Sequence, residues 1–306
     1  MGKYVIKRLW VGVVTLFVLA TITFFLMHAI PDSPFAGETA KLSPGIRTAV
    51  TEFYGLDEPL YVQYIKYLGN VIRGDFGTSL SHNGRSVQDI IKLDIAVSAR
   101  LGTVAFCIAV VVGIVLGMVA VFAKHRWLKD SVAFMATVGA SIPSFLLALI
   151  MIMIFGVTLR WLPTVGLSTW RHYIMPGLAL AMAPIAMISR LTRNSLTEVM
   201  KQDYMVLAKS KGTASLTLIA RHGAKNALTP VITYAGPLLA SLLTGSFVIE
   251  TLFSVPGLGA EFVSSVANRD YTMIMALTVY YGAIVISFTI VTDLITAALD
   301  PRIRLK

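Results

Sequence analysis

The sequence predicts an all-α polytopic membrane protein that crosses the bilayer six times. Three observations carry that reading. Of the 306 residues, 56% are hydrophobic and only 14% charged, where soluble domains average about 25% charged; mean hydropathy is +0.75. Apolar runs recur that are long enough for a hydrocarbon core, which takes about 20 residues to cross. Lys and Arg are unevenly divided. With six spans both termini share a side, and 16 of the 26 Lys and Arg fall on it, whereas the short loops opposite hold three. By the positive-inside rule the termini are cytoplasmic. The formal charge of +10 is thereby explained by cytoplasmic loops, with no nucleic-acid partner required, and anionic membrane lipid lies beside those loops.

In order, residues 1–30 form a basic N-terminus (Lys3, Lys7, Arg8) and a first span over about 9–30, ended by Pro31. The run is too long for a signal peptide and has no small-residue cleavage site, so it is read as retained. Residues 31–95 form a segment on the far side. Ser43-Pro44 suits a short helix start. Pro59 to Ile72 forms a second helix, with Val62, Ile65, Leu68 and Ile72 near one face. Ser86 to Asp89 has the pattern of a capping box. The segment is expected to pack against the spans. The main body, residues 96–297, holds spans over about 101–123, 132–159, 172–190, 228–250 and 271–295. In the second span Gly113 and Gly117 place small residues one turn apart, so another helix can approach closely. Pro143 lies near the middle of the third span, where it frees a backbone carbonyl. Residues 250–270 form an outer loop, and 298–306 a cytoplasmic tail.

The chemistry of several function classes is missing from the chain. It has no G-x-x-x-x-G-K-[ST] phosphate loop, no H-E-x-x-H and no G-x-S-x-G. It is therefore expected to be non-catalytic and to need no cofactor. Its five histidines are scattered without ligand spacing, and its one cysteine, Cys107, lies in an apolar run, so no metal site is expected. Two acids fall within apolar runs, Glu250 at the outer end of the fifth span and Asp293 near the inner end of the sixth. Charges at such boundaries are normally solvated or paired. An ion-coupled carrier working alone is the rival from another class. Six spans without paired interrupted helices fit it poorly. A non-transporting membrane scaffold is a further rival.

One polar stretch interrupts the cytoplasmic side, the segment 191–230, and above all Asp203 to Pro230. Asp203 suits an N-cap and Gly212 the left-handed position just past a helix end. Tyr204 to Lys211 then makes two turns, about 12 Å long. Tyr204, Leu207, Ala208 and Lys211 fall on one face by three- and four-residue spacing. A second helical pattern runs to Pro230, with Leu216, Ile219, Ala220, Gly223 and Ala227 on one side and Arg221, His222 and Lys225 largely off it. The segment is either a helix on which another protein pushes or an amphipathic linker resting on anionic headgroups.

These residues also carry a family resemblance. Tyr204-Met-Val-Leu-Ala-Lys-Ser-Lys-Gly212 with Arg221-His222-Gly-Ala-Lys-Asn226-Ala-Leu-Thr-Pro230 resembles the "EAA" loop of ABC importer permeases, in the version of the peptide/nickel branch. Pro31-Asp-Ser-Pro-Phe35, Tyr54-Gly-Leu-Asp-Glu-Pro59, Gln63-Tyr64 and Gly74-Asp-Phe-Gly77 resemble that family's outer segment. Glu250-Thr-Leu-Phe253, Pro256-Gly-Leu-Gly259, Asn268-Arg-Asp-Tyr271 and Asp300-Pro-Arg302 resemble its fifth loop and tail. The likeness spans nearly the whole chain and is nearest the B-type subunit of oligopeptide permeases. It departs at Val206 and Leu207, the first two letters of "EAA", and at Ser210, where alanine is common.

The resemblance implies a type I ABC importer transmembrane subunit in a bacterial cell (inner) membrane. It implies pairing with a second homologous permease, two cytoplasmic ATPase subunits and an extracytoplasmic peptide-binding protein. It also implies that Asp203, Tyr204, Leu207, Ala208, Lys211 and Gly212 form the ATPase-coupling helix. Arg221, His222, Asn226 and Pro230 would shape the return into the membrane. Dipeptides, nickel or another small solute fit the same architecture as cargo.

Overall fold

The computed structural model describes residues 2–29, 58–79, 81–82, 84–211 and 223–299. Within them the chain is helical, with one isolated antiparallel bridge, Thr78 to Ser86. The helices are α1 (Gly2–Ala29), α2 (Leu60–Arg73), α3 (Val87–Phe122), α4 (Arg126–Ser141), α5 (Ser144–Met151), α6 (Ile174–Val199), α7 (Asp203–Ser210), α8 (Ala224–Leu243), α9 (Phe247–Leu252), α10 (Leu258–Ala267) and α11 (Tyr271–Leu299). A π-helical segment, Ile152–Thr158, extends α5, and a 3-10 turn, Trp170–Tyr173, leads into α6. Ser43-Pro44 and the motifs Pro31 to Phe35 and Asp300 to Arg302 lie outside the described residues.

Five stretches are long and apolar enough to cross a membrane, and a sixth crossing is a bent pair. That pair corrects the expectation of one continuous helix over 132–159. The chain bends by 104° between Arg126–Ser141 and Ser144–Thr158. Pro143 is the cause. It forces Ile142 out of the helical region, to φ −84° and ψ 122°, and stands at φ −57° and ψ 137°. Its own carbonyl then starts a new helix by accepting from the amides of Leu146 and Leu147 at 3.0 and 3.2 Å.

The fifth span is interrupted as well. α8 stops at Leu243, Gly245 takes φ 88°, and α9 restarts with the Ser246 hydroxyl accepting from the Ile249 amide at 3.3 Å. Glycine alone reaches that backbone region without strain. Pro230, expected to end a helix, lies inside α8 together with Pro237. Proline removes one backbone bond, and the buried Ala227 and Val231 on either side hold the helix through it.

Two other boundaries move. α3 begins well before residue 101 and runs 36 residues, about 54 Å. Its early Val87, Ile90 and Ile91 are buried against Leu258, Met273, Ala276 and Leu277, so packing carries the helix through the polar stretch. Ser86 precedes that helix, but its side chain makes no capping bond; its backbone is engaged in the bridge to Thr78. α6 passes Arg190 and Arg193 to reach Val199, because Thr192, Leu196 and Val199 continue the buried stripe.

α3 and α6 form the spine. A Cβ on Gly113 would stand 2.7 Å from the Cβ of Ile188, and one on Gly117 2.5 Å from the Cβ of Thr192. These glycines therefore permit backbone approach, as small residues do between membrane helices. α8 joins the spine through Ala105, Ala109, Ile185, Val231 and Leu238. α1 lies along α11, and α2 lies against α1, where Phe24 and Phe25 meet Tyr64 at ring separations of 5.3 and 5.4 Å. The segment thus packs on a span, as expected, but through Tyr64 and not through the face of Val62, Ile65, Leu68 and Ile72: Ile65 is 65% and Ile72 86% exposed. α6 and α8 run between two polar ends. α7 stands at one end, and the α9–α10 hairpin stands at the other.

Candidate functional site

At the first end, three residues (200–202) turn α6 into α7. The turn is tight: the amides of Lys201 and Gln202 donate to the carbonyls of Glu198 and Val199 at 3.1 Å each. The Gln202 carbonyl then accepts from Met205 and Val206 at 2.9 and 3.1 Å. The helix therefore begins on Gln202, and Asp203 lies in its first turn, where its charge suits the positive end of the helix dipole. This corrects the N-cap reading by one residue.

Two forces hold α7 in place. Met205 is 1% exposed and joins Leu196, Val199 and Ala227 in a small core that Ala208 also touches. Gly223 faces the methionine, with room for no more than close contact: a Cβ there would lie 3.2 Å from Met205 Cε. The second force is polar. Asn226 Nδ2, in the first turn of α8, donates to the Tyr204 hydroxyl at 3.0 Å. α7 and the start of α8 are thus tied together.

The expected face of Tyr204, Leu207, Ala208 and Lys211 divides in two. Ala208 turns inward with Met205. Tyr204 is 41% and Leu207 59% exposed, and Lys211 is exposed as well. Val206, at 54%, adds to an apolar surface on a helix of only eight residues. Pro230 stands apart, half-buried within α8. Gly212, Arg221 and His222 lie outside the described residues. Met205 was not singled out in the sequence, although its apolar spacing with Ala208 is that of an inward-facing stripe.

A second polar centre lies at the opposite end. Glu250 was expected to be solvated or paired at a boundary; instead it is fully buried. Its carboxylate accepts from Ser98 Oγ and from the amides of Gly259 and Ala260. Asp293 does follow the boundary expectation, standing 3.1 Å from Arg8 Nε. Asp270 is also fully buried. Its Oδ2 accepts from Ser79 Oγ at 2.5 Å and from the Ser81 amide and hydroxyl at 3.0 and 2.8 Å. Its Oδ1 accepts from Thr272 Oγ1 and the Met273 amide at 2.8 and 3.1 Å. Burial pushes the Asp270 carboxyl up, but these donors outweigh it and hold the group below its ordinary value.

The fold resembles the methionine ABC transporter MetNI, solved in inward-facing conformations, with a TM-score of 0.57 at 17% identity, covering 70% of this chain and 97% of that one. It also resembles an amino acid ABC transporter solved with histidines, with a TM-score of 0.56 at 16% identity, covering 69% and 94%. The fold is that of a type I ABC importer transmembrane subunit.

The chain belongs to the family described as the binding-protein-dependent transport system inner membrane component, matched over residues 109–305. The N-terminal component of the same systems matches residues 1–86. It is 43% identical to the dipeptide transport system permease protein DppB of Bacillus subtilis, over 100% of this chain and 99% of that one. It is 39% identical to the oligopeptide transport system permease protein OppB of Salmonella typhimurium, over 99% and 100%. Its relatives are peptide permeases, and it is a multi-pass inner membrane protein.

Proposed function

We propose that this chain is one of two permease subunits in an ATP-driven peptide importer, and that α7 is where ATP hydrolysis is felt. It forms the translocation pathway with a second homologous permease. Two ATPase subunits act on the end that carries α7, which the Lys and Arg distribution assigns to the cytoplasm. An extracytoplasmic peptide-binding protein delivers cargo at the other. ATP hydrolysis belongs to the partners, since this chain carries no phosphate loop. Peptide cargo follows from relatives named for dipeptides and for oligopeptides, with the dipeptide permease at the higher identity.

One observation carries the coupling role. Among its described side chains α7 buries one anchor, Met205, and leaves Tyr204, Val206 and Leu207 exposed. A partner cleft that takes up this surface would recover the apolar area now left open. Closure of the ATPase pair would then move α7, and the tight turn at 200–202 would pass that motion into α6. Asp203, Lys211, Gly212, Arg221 and His222 would border the contact, and Asn226 and Pro230 would fix the return.

Leu207→Glu tests this. The side chain is exposed, so folding should change by no more than about 0.5 kcal/mol. Co-purified ATPase and peptide-stimulated ATP hydrolysis in vesicles should both fall about tenfold or more, because a charge would enter a closed apolar contact. Wild-type assembly and uptake in this variant would remove α7 from the coupling contact.

A further inference from the structure

At the end opposite α7, Glu250 gathers three parts of the chain around one buried carboxylate. Oε1 accepts from Ser98 Oγ, on α3, at 2.8 Å. Oε2 accepts from the amides of Gly259 and Ala260, in the first turn of α10, at 2.8 and 3.2 Å. Ser98 closes the loop by accepting from the Leu258 amide at 2.9 Å. The acid, at the end of the broken fifth span, thus caps α10 and reaches across to α3.

The surrounding backbone is shaped to this group. A Cβ on Gly245 would collide with Oε1, a Cβ on Gly257 would collide with Ser98 Oγ, and one on Gly259 would stand 2.9 Å from Oε2. Three glycines therefore admit a carboxylate where any side chain would expel it. Tyr281 Oη, on α11, donates to the Leu258 carbonyl at 2.6 Å, which fastens the same turn from another side. A carboxylate taken fully out of water is costly unless its hydrogen bonds are met, and here they are met from separate segments.

The mechanical consequence follows from what α3 does elsewhere. It packs on α6 at Gly113 and Gly117, and α6 leads directly into α7. A displacement received at α7 would pass along α6 to α3, and at Ser98 it meets the α9–α10 hairpin. We propose that Glu250 is a positioning residue that makes this hairpin and the adjoining part of α3 move as one body, so that the mouth of the pathway at that end opens only when α3 moves. This inference rests on the importer reading given above.

The test uses the complete complex with both permeases and both ATPases, reconstituted in vesicles with the binding protein and a labelled peptide. The readout is peptide accumulated per ATP hydrolysed. Glu250→Gln keeps the shape but turns its amide NH2 toward a donor, leaving at least one donor unmet. Peptide per ATP should fall about tenfold, while ATP hydrolysis continues, since an unmet buried donor has a cost of that order. Ser98→Ala leaves Glu250 its two amide donors but removes both bonds of the hydroxyl, the one to Oε1 and the one from the Leu258 amide. It too should lower the ratio about tenfold, because the buried Leu258 amide is left unmet.

A purely structural role predicts something else: uptake and ATP hydrolysis falling together with the yield of complex, at an unchanged ratio. That result overturns the proposal, as does a Ser98→Ala complex of wild-type ratio when Glu250→Gln fails to assemble. If the wild-type complex itself shows no peptide-dependent uptake, the importer reading fails instead.

Discussion

α7 and the α9–α10 hairpin are both short helical pieces at the ends of the same bundle, yet they are secured by opposite means. α7 rests on the Met205 side chain and on the bond between Asn226 and Tyr204. The hairpin end is fixed by Glu250, with three accepted hydrogen bonds, and by Asp270, with five. An apolar anchor is non-directional and tolerates sliding. A buried carboxylate is satisfied only in one arrangement, because each donor left unmet costs about 1–3 kcal/mol. On the coupling role proposed above, the corner that a partner would move is lightly held, and the end that would respond as a unit is tightly held.

The largest effect expected from this contrast lies at Asp270. Asp270→Asn keeps the volume but sets an amide nitrogen against donors from Ser79 and Ser81. Stability of the purified chain in detergent should drop by about 2–4 kcal/mol, read as an earlier thermal transition by tryptophan fluorescence. Its pH dependence has a definite sign. The folded carboxyl lies below the ordinary 3.8, so its contribution is complete above the unfolded value and is lost as pH falls through the folded one. The wild-type protein should therefore weaken on acidification below about pH 4, and the Asn variant should lose much of that slope. A slope that survives intact would place the acid sensitivity elsewhere.

Met205→Ala comes next and should be local. Truncating a buried methionine costs about 2 kcal/mol or more, but the core it joins is small. Hydrogen exchange across 203–210 should quicken roughly thirtyfold, the factor that corresponds to that energy. Exchange in the hairpin should not change. If the hairpin loosened equally, the two ends would be one cooperative unit, and the contrast between them would be false.

The sequence made one of these ends visible and hid the other. Asp203 to Pro230 stands out because it is a polar break between greasy runs, and its exposed face has helical spacing. Most of the spans are legible for the same reason, since hydropathy is a local property. The breaks are less so. Pro143 marked its position, but whether a proline kinks or breaks a helix depends on what packs around it. Pro230 was mistaken for a stop because the burial of Ala227 and Val231 is a tertiary fact. Glu250 was hidden more deeply. A lone acid near a span end reads as a boundary charge, and its partner Ser98 lies 152 residues earlier. Nearby glycines at 245, 257 and 259 were the available signal, as places where the backbone must approach something closely. With two spans interrupted, it is family membership, rather than unbroken helices, that separates this chain from an ion-coupled carrier.

The smallest effect expected is the sharpest probe of how α7 is held. Tyr204→Phe deletes the hydroxyl that accepts from Asn226 and leaves the ring in place. Both residues are exposed, so water can replace the lost partner, and the loss should be about 0.5–1 kcal/mol or less. Exchange protection across 203–210 should fall no more than about fivefold, well short of the Met205→Ala effect. The double variant discriminates. If the apolar anchor and the polar tie act independently, their effects on exchange should add within about 0.5 kcal/mol. If Tyr204→Phe has no further effect once Met205 is truncated, the bond exists only because the methionine seats the helix. In that case the single anchor, and not the pair, sets how readily α7 can move.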